Sequence, residues 1–239
     1  MKLSNARVLV TGGGSGIGFA TARLLIAQGA KVAIAGRNAE RLSKAAQELG
    51  AIAIPCDITQ EDQVKRLVAS AVKQLGDLDV LVNNAGIGSF APLVETNADD
   101  FRRVWETNVL GAMLVGRECA RHFVGRASGP GGNIVNIAST AGKAGFAGGS
   151  AYCASKFALT ALTECWRAEL RKSDVRVIQV NPSEIQNEFG EHNGRGGRAP
   201  ISPSKLLSED VAQLIVSLLS IENRGFVTDA SLWATNPNK

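Results

Sequence analysis

The sequence predicts an α/β fold in which a doubly wound parallel sheet of about seven strands carries helices on both faces. Short strand-like runs alternate with stretches of helical spacing along the chain, an order typical of parallel sheets. The strand-like runs are apolar throughout, as expected when both faces of a sheet are buried. The 239 residues contain no repeat and no linker that would divide them, so we expect a single domain over residues 1–239.

Four strands and three helices are predicted in the first part of the chain. The strands are short apolar runs at residues 7–11, 31–35, 51–55 and 79–83. Apolar residues recur at helical spacing at residues 17–28, 39–49 and 60–75. Asn38 can cap the second helix, and Thr59 with Asp62 resembles a capping box at the start of the third.

Three helices and three strands are predicted in the second part. The helices are expected at residues 98–126, 151–172 and 209–219. The strands are expected at residues 133–138, 175–180 and 226–233. Ser208 can cap the last helix, and residues 183–204, rich in Gly and Pro and without either period, are expected to form a loop.

The composition argues against several kinds of protein. The net charge of +4 is scattered, with no run of five or more like charges, so nucleic-acid binding gains little support. Four cysteines without a CxxC pair favour reduced thiols over disulfides, and two distant histidines indicate no zinc site. The N-terminus does not resemble a signal peptide and no apolar stretch approaches a membrane span. We therefore expect a cytoplasmic protein without a metal, membrane or nucleic-acid partner.

A glycine-rich stretch, Thr11-Gly-Gly-Gly-Ser-Gly-Ile-Gly18, lies between the first strand and the first helix. Its GxxxGxG spacing differs from the commoner GxGxxG dinucleotide pattern, but the physics is shared. Glycines let the backbone approach a pyrophosphate, and free N–H groups at the helix start stabilise its charge. The residues expected to bind it are Gly12, Gly14, Ser15, Gly16, Ile17 and Gly18. The alternative is a glycine-rich turn without a ligand; a P-loop is excluded because no Gly-Lys-Ser/Thr follows.

The end of the second strand indicates which dinucleotide binds. NAD sites place an Asp or Glu there to accept hydrogen bonds from the ribose hydroxyls. Here the sequence is Ala35-Gly36-Arg37-Asn38, so no carboxylate repels a 2′-phosphate and Arg37 offers a planar set of donors that matches one. This favours NADP(H) as the cofactor. The alternative for Arg37 is a solvated loop arginine.

Tyr152 and Lys156 lie four residues apart in a predicted helix, so their side chains project from one face. A Tyr hydroxyl titrates near ~10, and a nearby ammonium stabilises the phenolate and lowers that pKa. Such a Tyr can give a proton to a carbonyl oxygen or take one from an alcohol. Ser139 follows the fifth strand, where its hydroxyl can hold the substrate oxygen, and Asn108 lies within the long predicted helix.

Taken together, these motifs resemble the single-domain short-chain dehydrogenases/reductases, including the 3-oxoacyl reductases, over residue 6 to about residue 190. The resemblance is carried by TGGGSGIG, Asp57-Ile58, Asn83-Asn84-Ala85-Gly86, Asn108, Ser139, Tyr152 with Lys156, and Asn181-Pro182. It implies a Rossmann-like fold and hydride transfer between NADP(H) and a carbonyl or secondary alcohol. It also implies a homodimer or homotetramer that associates through the long helices.

The resemblance further implies roles for individual residues. Tyr152 would be the acid/base, Lys156 would lower its pKa and bind the nicotinamide ribose, and Ser139 would orient the carbonyl. Asn108 would support a water-linked proton relay. The cofactor contacts implied outside the glycine-rich stretch are Arg37, Asn38, Asp57, Ile58, Asn84, Ala85, Gly86, Tyr152, Lys156, Pro182 and Ile185.

Two segments depart from the family pattern. Pro182-Ser-Glu-Ile-Gln-Asn187 stands where many members have Pro-Gly-x-Val/Ile-x-Thr, so Ile185 keeps an apolar contact while Asn187 replaces the Thr. The chain ends in Leu-Trp-Ala-Thr-Asn-Pro-Asn-Lys, where many relatives have Val-Asp-Gly-Gly. The role of Asn187 toward the cofactor and the role of the C-terminal tail are left open.

The substrate and two rival functions also stay open. A catalytically silent cofactor-binding sensor or scaffold would keep the same fold. A nucleotide-sugar epimerase also uses YxxxK, although such chains are usually longer. Specificity is expected in residues 88–93, 141–149 and a substrate loop at about 187–204, where small and apolar residues are common. Arg195 and Arg198 either contact an anionic group, such as the phosphate of an acyl carrier, or are solvated, so a 3-oxoacyl thioester and a small ketone are both candidates.

Overall fold

In the computed structural model the chain is described over residues 1–129, 131–186, 189, 202 and 204–236. These residues contain a parallel sheet of seven strands in the order β3-β2-β1-β4-β5-β6-β7. From β1 to β7 the strands are Arg7–Thr11, Lys31–Gly36, Ile52–Pro55, Val80–Asn83, Gly132–Ile137, Val175–Pro182 and Asp229–Leu232. The predicted doubly wound parallel sheet is confirmed.

Helices cover both faces of the sheet. From α1 to α7 they are Gly16–Ala27, Ala39–Leu49, Glu61–Leu75, Ala98–Trp105, Ala112–Val124, Ser150–Leu170 and Ser208–Ser220. Successive side chains of a strand point to opposite faces, so Val8 and Val10 of β1 contribute to one core and Leu9 to the other. The first core includes side chains of α1, α2 and α7, and the second includes side chains of α3, α5 and α6.

The strand order reverses direction next to β1, and this reversal positions the site. The chain proceeds outward from β1 to β3 and then crosses back to β4 on the other side of β1. The connections that leave β1 and β4 therefore diverge and open a crevice at the carboxyl ends of these strands. In open α/β sheets this crevice is where ligands bind. The glycine-rich stretch follows β1 and the segment 84–86 follows β4, so both meet there.

The single long helix predicted over residues 98–126 is wrong. The structure has α4, then a π-helical segment at Glu106–Gly111, and then α5. One extra residue in a turn shifts the helical phase by only about 100°, within the width of an apolar helix stripe, so the hydrophobic spacing did not indicate this widening. A Cβ on Gly111 would lie 2.8 Å from Cγ1 of Ile58, which shows how closely the wide turn packs against the segment after β3. π-Helical turns are frequent at functional sites, and this one contains the buried Asn108.

Two of the three predicted helix caps are also wrong. The N–H and hydroxyl of Thr59 donate to the Asp57 carboxylate at 3.0 and 2.8 Å, so they are not available to α3, which begins at Glu61. Ser208 is the first residue of α7 and not its cap; the N–H of Leu207 instead donates to the Asp210 carboxylate at 2.8 Å. The cap on α2 is confirmed, because Oδ1 of Asn38 accepts from an N–H one turn into the helix at 2.9 Å.

Most of the predicted substrate loop lies outside the described residues. Of residues 187–204, the structure describes Phe189, Ser202 and Ser204. Asn187, Arg195 and Arg198 are not among them. In the ranges that are described, no helix combines the length and apolarity that crossing a membrane would need. The same ranges bring together no group of three His, Cys, Asp or Glu side chains that could hold a metal ion, and all four cysteines are free thiols.

A buried chain of hydrogen-bonded polar side chains ties α6 to the sheet. Nδ2 of Asn83 donates to Oδ1 of Asn136 at 3.2 Å and to the carbonyl of Ala112 at 2.9 Å. Nδ2 of Asn136 donates in turn to the hydroxyl of Thr163 on α6 at 2.8 Å. All three polar side chains are buried, so each depends on these partners instead of water. The network fixes α6 above the ends of β4 and β5.

We expect Asn136→Ala to lower the free energy of unfolding by about 1–3 kcal/mol, because it leaves the buried amide of Asn83 and the hydroxyl of Thr163 with fewer partners. Denaturant unfolding at neutral pH measures this change. Asn97→Ala is the control, since Asn97 caps α4 at an exposed position; its loss should cost about 1 kcal/mol. A smaller effect at Asn136 than at Asn97 would contradict the role given to the buried network.

Candidate active site

The glycine-rich stretch forms a closely packed backbone turn at the carboxyl end of β1. Gly12 has a φ of 66°, in the left-handed region that favours glycine. A Cβ on Gly18 would lie 2.3 Å from the carbonyl oxygen of Gly12, so no larger residue fits there without moving the turn. Nδ2 of Asn84 donates to the carbonyls of Thr11 and Gly12 at 2.9 and 3.3 Å, which joins this turn to the end of β4. Asn84 therefore stabilises the shape of this turn.

The rest of the stretch opens α1. Ser15 occupies the N-cap position with an extended backbone, and Gly16, Ile17 and Gly18 form the first turn of the helix. The N–H groups of a first helical turn lack partners within the helix, and they carry the positive end of its dipole. This part of the chain can therefore hold a pyrophosphate through its backbone, as the sequence predicted.

Six residues predicted to contact the cofactor line one cavity of about 140 Å³ at this turn. They are Gly12, Arg37, Asp57, Ile58, Ala85 and Gly86. The end of β2 contributes Gly36 and Arg37 and no carboxylate to this cavity. The close glycine turn and the cavity are compatible with a dinucleotide, whose pyrophosphate would be held by the backbone at the start of α1.

Asn38 and Asp57, two predicted cofactor contacts, also stabilise the local backbone. The side-chain oxygen of Asn38 caps α2, and the side chain borders a second cavity of about 410 Å³ together with Gly14 and Arg41. The Asp57 carboxylate accepts from Thr59 and thereby shapes the turn before α3. Their side chains are thus held in place by neighbouring backbone at the rim of the crevice.

Tyr152 and Lys156 lie on one face of α6, as their spacing predicted. Nζ of Lys156 is 5.7 Å from the centroid of the Tyr152 ring. The same Nζ donates to the carbonyl of Ile137, at the end of β5, over 2.8 Å. Burial lowers the pKa of Lys156 to about 8, because a charge removed from water is less stable. The structure thus brings a buried amine, a phenol and the end of β5 together.

Asn108 lies next to this pair, and hydrogen bonds hold both polar atoms of its carboxamide. Its Oδ1 accepts from the N–H of Ile87 at 2.8 Å, and its Nδ2 donates to the carbonyl of Ile87 at 2.8 Å. Nδ2 also donates to the hydroxyl of Ser155 at 3.0 Å, and that hydroxyl donates to the carbonyl of Tyr152 at 2.7 Å. The carboxamide therefore joins the segment after β4 to the helix that carries the phenol.

Gly86 sits where these groups converge. A Cβ placed on it would lie 3.2 Å from Oδ1 of Asn108 and 3.7 Å from Nζ of Lys156. The absence of a side chain at this position keeps the surface between Asn108 and Lys156 open. The predicted cofactor contact at Gly86 and two of the predicted catalytic side chains therefore belong to one region.

Ser139 lies between the ends of β5 and β6. Its hydroxyl oxygen accepts from the N–H of Ala141 at 3.1 Å and donates to the carbonyl of Pro182 at 3.4 Å. Pro182 is the last residue of β6 and is buried, while Ile185, three residues on, forms an isolated parallel bridge with Leu206. Ser139, Pro182 and Ile185 thus line the carboxyl edge of the sheet on the side of α6.

An ion pair connects β7 to the segment after Ser139. Nζ of Lys143 lies 2.5 Å from Oδ1 of Asp229, and Oδ2 of Asp229 accepts from Gln179 and Asn181 of β6 at 3.1 and 3.0 Å. Burial by itself would raise the pKa of Asp229, but the hydrogen bonds from Lys143 and Asn181 outweigh it and lower the pKa. Asp229 therefore holds the last strand against the edge of the site.

Sequence reasoning missed several residues of the site. The buried Thr11 accepts from the N–H groups of Asn84 and Ala85 at 3.0 and 3.1 Å, and so joins β1 to the segment after β4. Its position directly before the glycine-rich stretch could have indicated that Thr11 belongs to the site. Ser155, which links Asn108 to Tyr152, stood inside the YxxxK motif but carried no signal of its own. The ring of Phe90, 5.5 Å from that of Tyr152, lies in the segment 88–93 that was expected to determine specificity, but nothing in the sequence indicated its contact with the phenol.

Known proteins share the sequence pattern of this chain. The profile of the short chain dehydrogenase family matches residues 6–195. A sorbitol dehydrogenase of Cereibacter sphaeroides is 36% identical over 190 residues, covering 79% of this chain and 73% of that protein. Among the curated relatives, the share of the relative's length that is matched runs from 55% to 91%.

Two solved structures share the whole fold. A 3-ketoacyl-(acyl-carrier-protein) reductase from Brucella melitensis, complexed with NADH, has a TM-score of 0.89 and 29% identity, with 98% of each chain covered. An alcohol dehydrogenase from Thermococcus sibiricus, complexed with 5-hydroxy-NADP, has a TM-score of 0.87 and 27% identity, covering 98% of this chain and 99% of that one. Enzymes of this kind transfer hydride between a nicotinamide dinucleotide and a carbonyl or alcohol group. The chain belongs to the short-chain dehydrogenase/reductase family of oxidoreductases.

Proposed function

We propose that the protein transfers hydride between NADP(H) and a carbonyl compound or the corresponding secondary alcohol, with Tyr152 as its acid/base. The observation that carries the proposal is the placement of Nζ of Lys156 5.7 Å from the Tyr152 ring while it is held by the carbonyl of Ile137. The nicotinamide supplies or accepts the hydride, and the residues of this chain handle the proton and the orientation of the substrate.

Lys156 acts on the phenol through its charge. Its ammonium is predominantly present at neutral pH, because burial lowers its pKa only to about 8. A positive charge close to the phenol favours the phenolate and so eases proton exchange with the substrate oxygen. The carbonyl of Ile137 fixes the direction of the ammonium, which also faces the open surface at Gly86. In this proposal the same amine binds the ribose next to the nicotinamide.

Ser139 orients the substrate and Asn108 holds the site together. The hydroxyl of Ser139 donates over a long 3.4 Å to Pro182, so its hydrogen can turn towards a substrate oxygen at little cost. The carboxamide of Asn108 fixes Ile87 and α6 relative to each other. The water-linked proton relay implied for Asn108 stays a prediction.

NADP(H) is the cofactor that the described residues favour. Arg37 follows β2 at the rim of the cavity, where its guanidinium can pair with a 2′-phosphate. The position that would hold the ribose of NAD with a carboxylate is Gly36, which can accept no hydrogen bond through a side chain. One solved relative is complexed with NADH and another with 5-hydroxy-NADP. The proposal of NADP(H) therefore rests on Gly36 and Arg37 and not on the relatives.

A homodimer or homotetramer through the helices of the second half is also part of the proposal. Exposed apolar side chains on α4, α6 and the π-helical segment support it. They are Phe101, Trp105, Leu110 and Phe157, between 36% and 45% exposed. Surface rings and leucines of this size favour contact with another apolar surface.

We expect Tyr152→Phe to lower kcat for ketone reduction by about 10²–10⁴-fold, since the variant keeps the ring and loses the proton donor. NADPH oxidation measures turnover, and the thermal unfolding midpoint checks that the fold is intact. Turnover equal to the parent would contradict the acid/base role. If the parent protein binds NADPH but oxidises it with no member of a ketone panel, the sensor or scaffold function replaces the proposal.

We expect Arg37→Ala to raise KM for NADPH about tenfold or more and to change KM for NADH little, because only NADPH has the 2′-phosphate that pairs with the guanidinium. Initial rates with each cofactor at a saturating ketone concentration give the two constants. Arg102→Ala on the exposed part of α4 is the control for loss of one positive charge. Equal effects of Arg37→Ala on both cofactors would remove the argument for NADP(H).

We expect the free energy of unfolding to rise between pH 8 and about pH 10 in the parent protein more than in Lys156→Met. In the folded state Lys156 loses its proton near pH 8, while the unfolded chain keeps that proton until about pH 10.4. The penalty for the buried charge is therefore full below pH 8 and fades as the pH rises. Denaturant unfolding of the cofactor-free proteins across this range measures the difference. Parallel pH dependences for the two proteins would show that burial does not perturb the amine.

A further inference from the structure

The aromatic residues of this chain are few, and a third of them meet at the active site. The sequence has eight Phe, three Trp and one Tyr. That single Tyr, Tyr152, contacts Phe90 and Phe189, and Phe146 stacks on Phe90; we call the three phenylalanines the aromatic cluster. One of these phenylalanines follows β4, one precedes α6, and one follows β6, so three separate connections contribute one ring each.

The rings of the aromatic cluster are arranged around the phenol at contact distances. The centroid of Phe90 lies 5.5 Å from that of Tyr152 with the planes 56° apart. Phe189 lies 5.7 Å from Tyr152, also at 56°. Phe146 extends the surface outward, stacked 6.1 Å from Phe90 at 27°. Such tilted and offset arrangements are the favourable geometries for aromatic pairs.

Two glycines make room for the rings. A Cβ on Gly88 would lie 2.7 Å from Cε2 of Phe90 and 3.3 Å from Cε1 of Phe189. A Cβ on Gly149 would lie 2.7 Å from Cε2 of Phe146. Any side chain at these positions would push the rings away from their present places. The local sequence therefore agrees with the placement of the cluster beside the phenol.

The rings are not part of the hydrophobic core. Phe146 is 42% exposed, and Phe90 and Phe189 are half-buried. None of the three belongs to the clusters of buried residues on the two faces of the sheet. Large apolar groups that stay partly exposed beside a reactive side chain mark a binding surface better than a stabilising one.

We propose that the aromatic cluster binds the ring-bearing, apolar skeleton of the substrate, so that the preferred substrates are aryl or alicyclic ketones and their secondary alcohols. This inference rests on the proposed function, since the oxygen of the substrate must reach the hydroxyl of Tyr152. A skeleton attached to that oxygen then lies against Phe90. A flat apolar ring gains contact and loses water there, whereas a polyol would have hydroxyl groups facing rings that offer no strong partner.

The reaction of such a substrate balances without a further reactant. In the reductive direction the carbonyl carbon receives a hydride with its electron pair from the reduced nicotinamide, which is thereby oxidised. The π electrons of the C=O bond move to oxygen, and the oxygen takes the proton of the Tyr152 hydroxyl. One C–H bond and one O–H bond form, the phenolate is reprotonated from solvent, and the product is the secondary alcohol.

The experiment compares kcat/KM for tetralone, a bicyclic aryl ketone, with kcat/KM for fructose, a keto-sugar, in the presence of NADPH. We expect the parent protein to prefer tetralone. Phe90→Ala should lower the tetralone-to-fructose ratio by about tenfold, because it removes one ring contact. Phe90→Leu keeps an apolar side chain without a ring face and should give an intermediate ratio. Phe226→Ala, which removes a half-buried ring that precedes β7 at the end of the strand opposite to the candidate site, should leave the ratio unchanged.

Two outcomes would overturn the inference: a parent protein that prefers fructose, or a ratio that both Phe90→Ala and Phe146→Ala leave unchanged. Failure of the proposed function has a different signature, since the parent would then reduce neither ketone. In that case calorimetric binding of tetralone to the NADPH-loaded protein still tests the cluster. Binding that weakens about tenfold in Phe90→Ala supports the aromatic surface, and binding that is absent, or equal in the two proteins, overturns it.

Discussion

The contact between the Lys156 amine and the carbonyl of Ile137 determines the layout of the site. The amine is buried beside the phenol of Tyr152, and the carbonyl belongs to the last residue of β5. A long flexible side chain is thereby fixed to the sheet, and α6 is fixed with it. In the proposed function this contact keeps the ammonium beside the phenol, where its positive charge favours the phenolate.

Backbone and side chains have different roles in the proposed site. In the proposed function the cradle for the cofactor is mostly backbone: the turn at Gly12, the start of α1 and the open surface at Gly86 can approach it closely because side chains are absent. The proposal assigns the proton chemistry to side chains of α6 and of the segment after β5. Thr11, Asn84 and Asn108 connect the two parts by hydrogen bonds, so the reacting groups and the cradle share one rigid frame.

Local patterns predicted the sheet, the glycine turn and the pairing of Tyr152 with Lys156, because each depends on residues close in sequence. The π-helical segment escaped prediction, since one additional residue shifts the helical phase by only about 100°, within the width of an apolar helix stripe. The capping box at Thr59 failed because Asp57, two residues earlier, competes for the same hydroxyl. The segments 88–93, 141–149 and 187–204 were expected to determine specificity, and each supplies one ring of the aromatic cluster. Their sequences did not show that the rings meet at Tyr152, because the sheet brings the three connections together.

The π-helical segment also affects how this chain can change in length. Its wide turn holds one residue more than an α-helical turn, so removal of one residue from Glu106–Gly111 can close the turn and leave α5 facing the core as before. Loss of a residue from the first turn of α5 is different, because in an α-helix each residue advances the direction of the side chains by about 100°. Phe123 and Cys119, both fully buried, would then rotate away from the core, and Arg121 would rotate towards it. Closing the wide turn would instead displace Asn108 from Ile87 and Ser155, so the extra residue matters for the candidate site more than for the core.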